Sequence, residues 1–179
     1  DQITKCFAID TVNVSVSNSK PTAIANVKDV SCPGEGDGTF SVQITSGKKP
    51  IKYAYQTTGY NTASTDVLTF SALKAGTYTL KLIDANECNW DTTITVKDPK
   101  PISVDLGSDF EVLLGDSIHL KATISNYSYP NEIDTIIWKF YERDTAYNQL
   151  DVATKPIQSG RYCITVRNLN GCEASSCVW

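Results

Sequence analysis

The 179-residue chain has no methionine and a single histidine, His119. One imidazole leaves little material for a serine-type triad or a histidine-based zinc site. His119 also sits between Ile118 and Leu120 in an alternating run, which predicts a solvent-facing strand residue and not a general base. No Gly-x-Ser-x-Gly elbow is present. None of the six glutamates stands in a setting that suggests the paired carboxylates of a glycosidase. Basic residues are outnumbered, 16 to 20, giving a net charge of −4. No basic stripe follows, so a phosphate-tracking nucleic-acid role is excluded. No apolar run approaches the roughly 18 residues of a membrane-spanning helix, and no segment reads as embedded in a membrane. Signal-peptide patterning is also missing. Without a methionine, Asp1 is expected to follow processing, or the chain to be a window of a longer one.

What is present points to β structure. Thr, Ser, Val, Ile and Tyr are abundant, while Leu, Glu and Ala never fall into a helical period. Comparing the chain with itself reveals a repeat. Leu73, Gly76, Tyr78, Leu80, Leu82, Asp84, Asn86 and Cys88 return, each 84 positions later, as Ile157, Gly160, Tyr162, Ile164, Val166, Asn168, Asn170 and Cys172. Upstream, Ile51, Tyr53 and Tyr55 are echoed by Ile136, Trp138 and Phe140. Tyr78, Leu80 and Leu82 alternate with Thr77, Thr79 and Lys81, as in a sandwich strand with one wet face. A Gly-x-Tyr at the strand entrance is similar to the tyrosine corner of immunoglobulin-like sandwiches, whose hydroxyl caps a backbone group.

These patterns predict an all-β chain of tandem immunoglobulin-like β-sandwich modules at residues 22–99 and 100–179. Strands are expected near 23–30, 38–46, 51–56, 66–71, 76–84 and 91–97, then 102–105, 110–113, 116–124, 133–142, 148–153, 160–167 and 174–178. Asp98–Pro101, with prolines flanking Lys100, reads as a short stiff linker that would make stacked modules a semi-rigid rod. Residues 1–21, with Cys6, Asp10, Val12, Val14 and Val16, resemble a module's final strand. They are expected to end a preceding module in an array or to complete a neighbour's sheet by strand donation. The last strand is expected to be cut short at Trp179.

Six cysteines without a CxxC suit disulfides in an oxidising compartment, and they allow 15 pairings. An intramodule Cys32–Cys88 bridge is expected, since one residue opens the first module and the other lies in its last turn. Cys163 should point away from the core, opposite Cys177 across the 168–172 turn, so a Cys163–Cys177 bridge is expected as well. Cys6 and Cys172 occupy equivalent module positions, their partners lying outside this sequence or on another subunit.

Val30–Gly38 (VSCPGEGDG), Leu73–Tyr78 (LKAGTY) and Ile83–Cys88 (IDANEC) resemble the SprB repeat of very large surface proteins of gliding Bacteroidetes. That resemblance covers about residues 27–99. Residues 102–179, with GDSIHL and GRYCITVRNLNGCEASSC, look like the PKD/Ig-like modules found beside such repeats. Related modules often carry a cysteine just before Gly-Asp-Ser, where this chain has Leu114. The resemblance implies an exported, extracellular adhesin or filament segment without catalysis, whose partners are neighbouring repeats, copies of itself and surface glycans. A Bacteroidetes-type O-glycosylation triplet, Asp then Ser or Thr then a small aliphatic residue or Thr, would place glycans on Thr11, Thr92, Ser117, Thr135 and Thr145.

No cofactor is expected, with calcium the one metal in view. Asp37, Asp84 and Asp105 are its candidate ligands, with Glu35 and Asp109 in the same turns. A turn-forming role for these aspartates is preferred, because no dense Asp-x-Asp-x-Asp loop appears. Tyr60, Tyr127, Tyr129, Tyr147 and Trp179 fall in loops or outward positions. An aromatic platform there would make the chain a carbohydrate-binding accessory module of a secreted enzyme, tested through Tyr127 and Tyr129.

Overall fold

The computed structural model describes residues 10–13, 20–57, 59–141, 143–146 and 148–179. No helix occurs among them, so none is long and apolar enough to cross a membrane. The chain folds as two immunoglobulin-like β-sandwiches in tandem.

In the first, β1 (Thr22–Lys28), β2 (Gly38–Ser46) and β5 (Val67–Leu73) form one antiparallel sheet in the order β1-β2-β5. The facing sheet has the order β4-β3-β6-β7, from β3 (Lys52–Tyr55), β4 (Asn61–Thr62), β6 (Gly76–Ile83) and β7 (Asn89–Val96). The two-residue period decides which side chains meet. Phe40, Val42 and Ile44 of β2 turn inward with Leu68 of β5, against Leu80 and Leu82 of β6 and Ile94 and Val96 of β7. Phe40, Val42, Leu80 and Leu82 are completely or almost completely shielded. Each such side chain contributes about 1.5–3 kcal/mol of transfer free energy relative to exposure.

The second sandwich repeats this plan with different lengths. Its β12-β11-β14-β15 sheet comprises β11 (Ile133–Phe140), β12 (Arg143–Ala146), β14 (Tyr162–Asn168) and β15 (Glu173–Val178). The other face is split into two ladders. Here β8 (Ser103–Asp105) pairs with β10 (Thr123–Ser125), and β9 (Ile118–Lys121) pairs with β13 (Asp151–Thr154). Ala122 separates β9 from β10 and gives its N–H to Leu150 O at 2.8 Å. The core is built around Trp138, Ile136, Ile164, Val166 and Val178, all fully shielded, with Ile118, Leu120 and Val152 opposite. The Trp138 Nε1–H donates to Gln149 O at 2.9 Å, so the buried indole keeps a partner.

Two expected strands need correction. Residues 110–113 form no strand, although Phe110 and Val112 alternate with polar Glu111. They lie in the loop between β8 and β9 at one pole of the sandwich, and the Phe110 N–H meets only Trp179 O. The strand expected at 116–124 is two elements, β9 and β10, because they pair with different partners, β13 and β8; the strand expected at 148–153 is β13, and β12 before it was not expected.

The tyrosine corner exists in the first sandwich, where the Tyr78 hydroxyl donates to Lys74 O at 2.6 Å. In the second, the corner is relayed. The Tyr162 hydroxyl pairs with the Tyr141 hydroxyl, and Tyr141 reaches Gln158 O (3.3 Å) and accepts the Ile157 N–H (3.1 Å). Burial, aided by the Tyr141 hydroxyl, holds the Tyr162 phenol above its usual range. Gly160 leaves room for this ring: a Cβ there would lie 2.8 Å from Tyr141 Cδ1 and Cε1.

Candidate functional site

The junction between the sandwiches brings separate parts of the chain together through a disulfide and side-chain hydrogen bonds. It is built from two turns and the linker. The first turn, between β1 and β2, is shaped by carboxylates: Asp37 Oδ1 accepts the Ser31 N–H (2.9 Å) and Asp29 Oδ1 accepts the Lys97 N–H (2.8 Å). The Ser31 contacts hold the Asp37 carboxyl below its ordinary range. The second turn joins β14 to β15. Asn168 Oδ1 accepts the N–H groups of Asn170 (3.0 Å) and Cys172 (2.9 Å), while the Asn168 N–H closes the hairpin on Cys172 O (3.0 Å).

Cys32 on the first turn and Cys172 on the second are joined by a disulfide spanning 140 positions, with Cα atoms 5.5 Å apart. Cys32 thereby packs against the core of the second sandwich. This overturns the expected Cys32–Cys88 bridge. Those residues lie at opposite poles of the first sandwich, because β2 begins beside Cys32 and ends beside Lys48, whose N–H meets Asp84 at the other end. Cys88 is a half-buried free thiol. The Cys32–Cys172 bridge also gives Cys172 a partner within the chain, where one outside this sequence or on another subunit was expected. Cys163 and Cys177 stand directly opposite on β14 and β15 and are joined. Cys6 lies outside the described residues.

The linker is fastened on both sides. Asp98 Oδ1 accepts the Gly34 N–H (3.2 Å) from the first sandwich. The Asn126 amide donates to Pro101 O (2.8 Å) and the Tyr127 hydroxyl to Lys100 O (2.9 Å) from the second. Ile102 is buried just beyond, as part of the second core. Asp29, Asn126 and Tyr127 are the junction residues that the sequence pattern did not identify. Their roles arise from loops brought together by both folds.

The calcium candidates do not converge. Asp37 serves the Ser31 turn, Asp105 Oδ1 accepts the Gly107 N–H (2.9 Å), and Asp84 accepts the N–H groups of Lys48 (3.1 Å), Asn86 (2.9 Å) and Cys88 (2.9 Å). Burial opposes ionisation of Asp84, but the donors Cys88, Lys48 and Asn86 outweigh it and hold the carboxyl below its ordinary range. Glu35 lies in the junction turn and Asp109 at the far pole, capping the Trp179 N–H at 2.9 Å. Among the described residues no three His, Cys, Asp or Glu side chains are grouped to hold a metal ion.

The aromatic candidates are also dispersed. Tyr127 is half-buried and occupied with the linker, and the Tyr129 hydroxyl donates to Asn148 O (2.6 Å). Tyr60 is exposed beside β4, Trp179 is exposed at the far pole, and Tyr147 lies outside the described residues. His119 is exposed on β9 opposite Ala153. Of the glycosylation candidates, Thr11 and Ser117 are exposed, whereas Thr135 is half-buried and donates to Asp134 (2.9 Å). Thr92 is half-buried too, sharing the inward face of β7 with Ile94 and Val96. Thr145 lies in β12, its side chain outside the description.

No family model matches the chain, and no curated protein matches it. Among solved structures it is similar to the three N-terminal domains of the Highly Immunogenic Outer Capsid protein of bacteriophage RB49, at 15% identity and a TM-score of 0.47 over 89% of this chain. It spans 58% of the length of that protein's chain. It is also similar to fibronectin(III)-like modules of Clostridium thermocellum CbhA (13% identity, TM-score 0.35, 87% of this chain and 92% of that one). A third similarity is to the N-terminal eight Ig domains of the Down Syndrome Cell Adhesion Molecule (15% identity, TM-score 0.34, 92% of this chain and 23% of that one). All three scores fall below one half, so the fold assignment rests on the strand order described above.

Proposed function

We propose that this chain is a non-catalytic, load-bearing segment of an extracellular bacterial adhesin or filament, of the SprB/PKD type suggested by its motifs. The observation that carries this reading is the covalent clamp between the sandwiches. A short linker alone would let two domains swivel, since domain interfaces within a chain are commonly mobile. Here Cys32–Cys172 adds a second covalent connection beside Asp98–Pro101, and hydrogen bonds from both sandwiches hold the linker. Two connections at one interface suppress bending and twisting, which a reach-extending stalk needs and an isolated binding domain does not. Stable disulfides fit an oxidising exterior. Thr11 and Ser117 stand free to carry glycans on such a surface. Antibodies raised against the chain should label intact cells of the source organism along surface fibres. Labelling that requires permeabilisation would remove the extracellular assignment.

A further inference from the structure

Each half of the junction inside the chain recurs once more among the described residues. At the far pole of the second sandwich, the Trp179 N–H donates to Asp109 Oδ1 (2.9 Å), repeating the Lys97 N–H to Asp29 Oδ1 bond (2.8 Å) of the first. Each loop then runs to a Gly-Asp pair just before the next strand, Gly36-Asp37 in one and Gly115-Asp116 in the other. Residues 110–114 therefore stand where Val30–Glu35 stands in the first sandwich, and Val112 stands where Cys32 reaches Cys172, each three positions after its aspartate. The first loop meets a hairpin turn of the neighbouring sandwich at Cys32. At the second, among the described residues, Leu113, Leu114 and Ile157 are 77%, 69% and 77% exposed. Phe110, Val112, Leu114, Pro156 and Trp179 line a crevice of about 600 Å³ at the same pole. Single exposed leucines are ordinary, but a contiguous apolar cluster around a crevice marks an interaction surface.

The complementary half lies at the opposite end. The Asp84–Cys88 turn repeats the Asn168–Cys172 turn: Asp84 Oδ1 accepts the Asn86 and Cys88 N–H groups (both 2.9 Å), and the Asp84 N–H meets Cys88 O (3.1 Å). Its cysteine, unlike Cys172, has a free thiol. Resting on the stalk reading above, we propose that the Phe110–Leu114 pole is a socket for the Asp84–Cys88 turn of a second copy of this chain. Mated pole to pole, copies make a heterologous contact that does not close and extends as a head-to-tail filament. The mating needs no disulfide, because apolar Val112 and Leu113 replace the cysteine of the inner junction.

The test uses the whole chain with Cys6→Ser, so that Cys88 is its only free thiol. Sedimentation velocity should show oligomers that grow with concentration without a fixed end point. Leu113→Asp with Leu114→Asp should weaken that growth at least tenfold and leave Tm unchanged, since both side chains are exposed. A chain that stays monomeric to about 200 µM, the concentration range where weak, millimolar-to-micromolar contacts register, would overturn the proposal. Geometry is tested by Val112→Cys with oxidised glutathione as the two-electron oxidant. A disulfide-linked ladder that disappears when Cys88→Ser is added is the expected result. A cross-linked dimer that survives Cys88→Ser would mean socket meets socket, and would overturn the head-to-tail arrangement. Peptide mapping of Cys32–Cys172 on the same samples keeps the stalk reading separate: an intact clamp in a monomeric chain refutes the socket alone.

Discussion

Removing the clamp should destabilise both sandwiches. The perturbation is Cys32→Ala with Cys172→Ala. Alanine is chosen because serine would place a hydroxyl against the second core, where Cys172 is buried and Cys32 packs. When the second sandwich unfolds beside a folded first one, the clamp closes a loop of about 70 residues, from the linker to Cys172. Loop-closure entropy then favours the folded state by about 4 kcal/mol in the chain-entropy model, and real bridges commonly deliver about 2–4. For a domain of this size each kcal/mol is about 4–8 °C in Tm, so a drop of at least about 8 °C is expected. The same argument holds in the other direction: beside a folded second sandwich the clamp closes a loop of about 65 residues from Cys32 to the linker, containing β2 to β7, so the first sandwich should fall by a similar amount. Differential scanning calorimetry should therefore show the transitions of both sandwiches moving down. Small-angle scattering below both transitions should show a longer, more variable particle. A double variant with both transitions within about 2 °C of the parent, and an unchanged scattering curve, would refute the argument that the cystine holds the junction.

Four further outcomes are expected. Tyr78→Phe should cost about 1 kcal/mol in chemical denaturation, the net value of the lost hydrogen bond to Lys74 O; no change would mean that the corner is only a packing feature. Gly160→Ala should cost about 1–3 kcal/mol by forcing a methyl group into the Tyr141 ring, and a neutral result would show that the ring can move aside. Stability should fall below about pH 4. Asp37 and Asp84 titrate lower in the folded chain than in the unfolded one, so the unfolded state binds more protons there, and the stabilisation present above the unfolded pKa is lost as pH falls through the folded values. Asp84→Asn should flatten that acid limb and lower Tm at neutral pH, because one position beside the Lys48 N–H would change from acceptor to donor; an unaltered pH profile would count against it. Finally, iodoacetamide applied without reductant should label Cys88 but none of Cys32, Cys163, Cys172 and Cys177, as read by peptide mass spectrometry.

The strands were legible wherever apolar residues alternate and both neighbours are other strands. β2 and β6 follow their inward triplets, Phe40-Val42-Ile44 and Tyr78-Leu80-Leu82, because a two-residue period encodes which face is buried. The same period misleads at 110–113, where an alternating pattern at a pole has no strand beside it. Pairing, and not pattern, decides whether an extended segment joins a sheet. The second tyrosine corner was legible in part: Tyr162 stands where the repeat puts it, but Tyr141, 21 positions earlier, supplies the contact to the backbone.

The cysteines mark the division most clearly. Cys163 and Cys177 face one another because a hairpin of known turn length places them so, and that is local information carried by the chain itself. The repeat, the two-module plan and the sandwich faces were likewise determined by residue order alone. The partner of Cys32 was decided only by the tertiary structure. The first sandwich sends Cys32 to one pole and Cys88 to the other, and the linker then brings the turn of the second sandwich onto the first of these. Sequence separation carries no record of that meeting, since 140 residues of chain can close on almost any geometry and two folded domains permit only one.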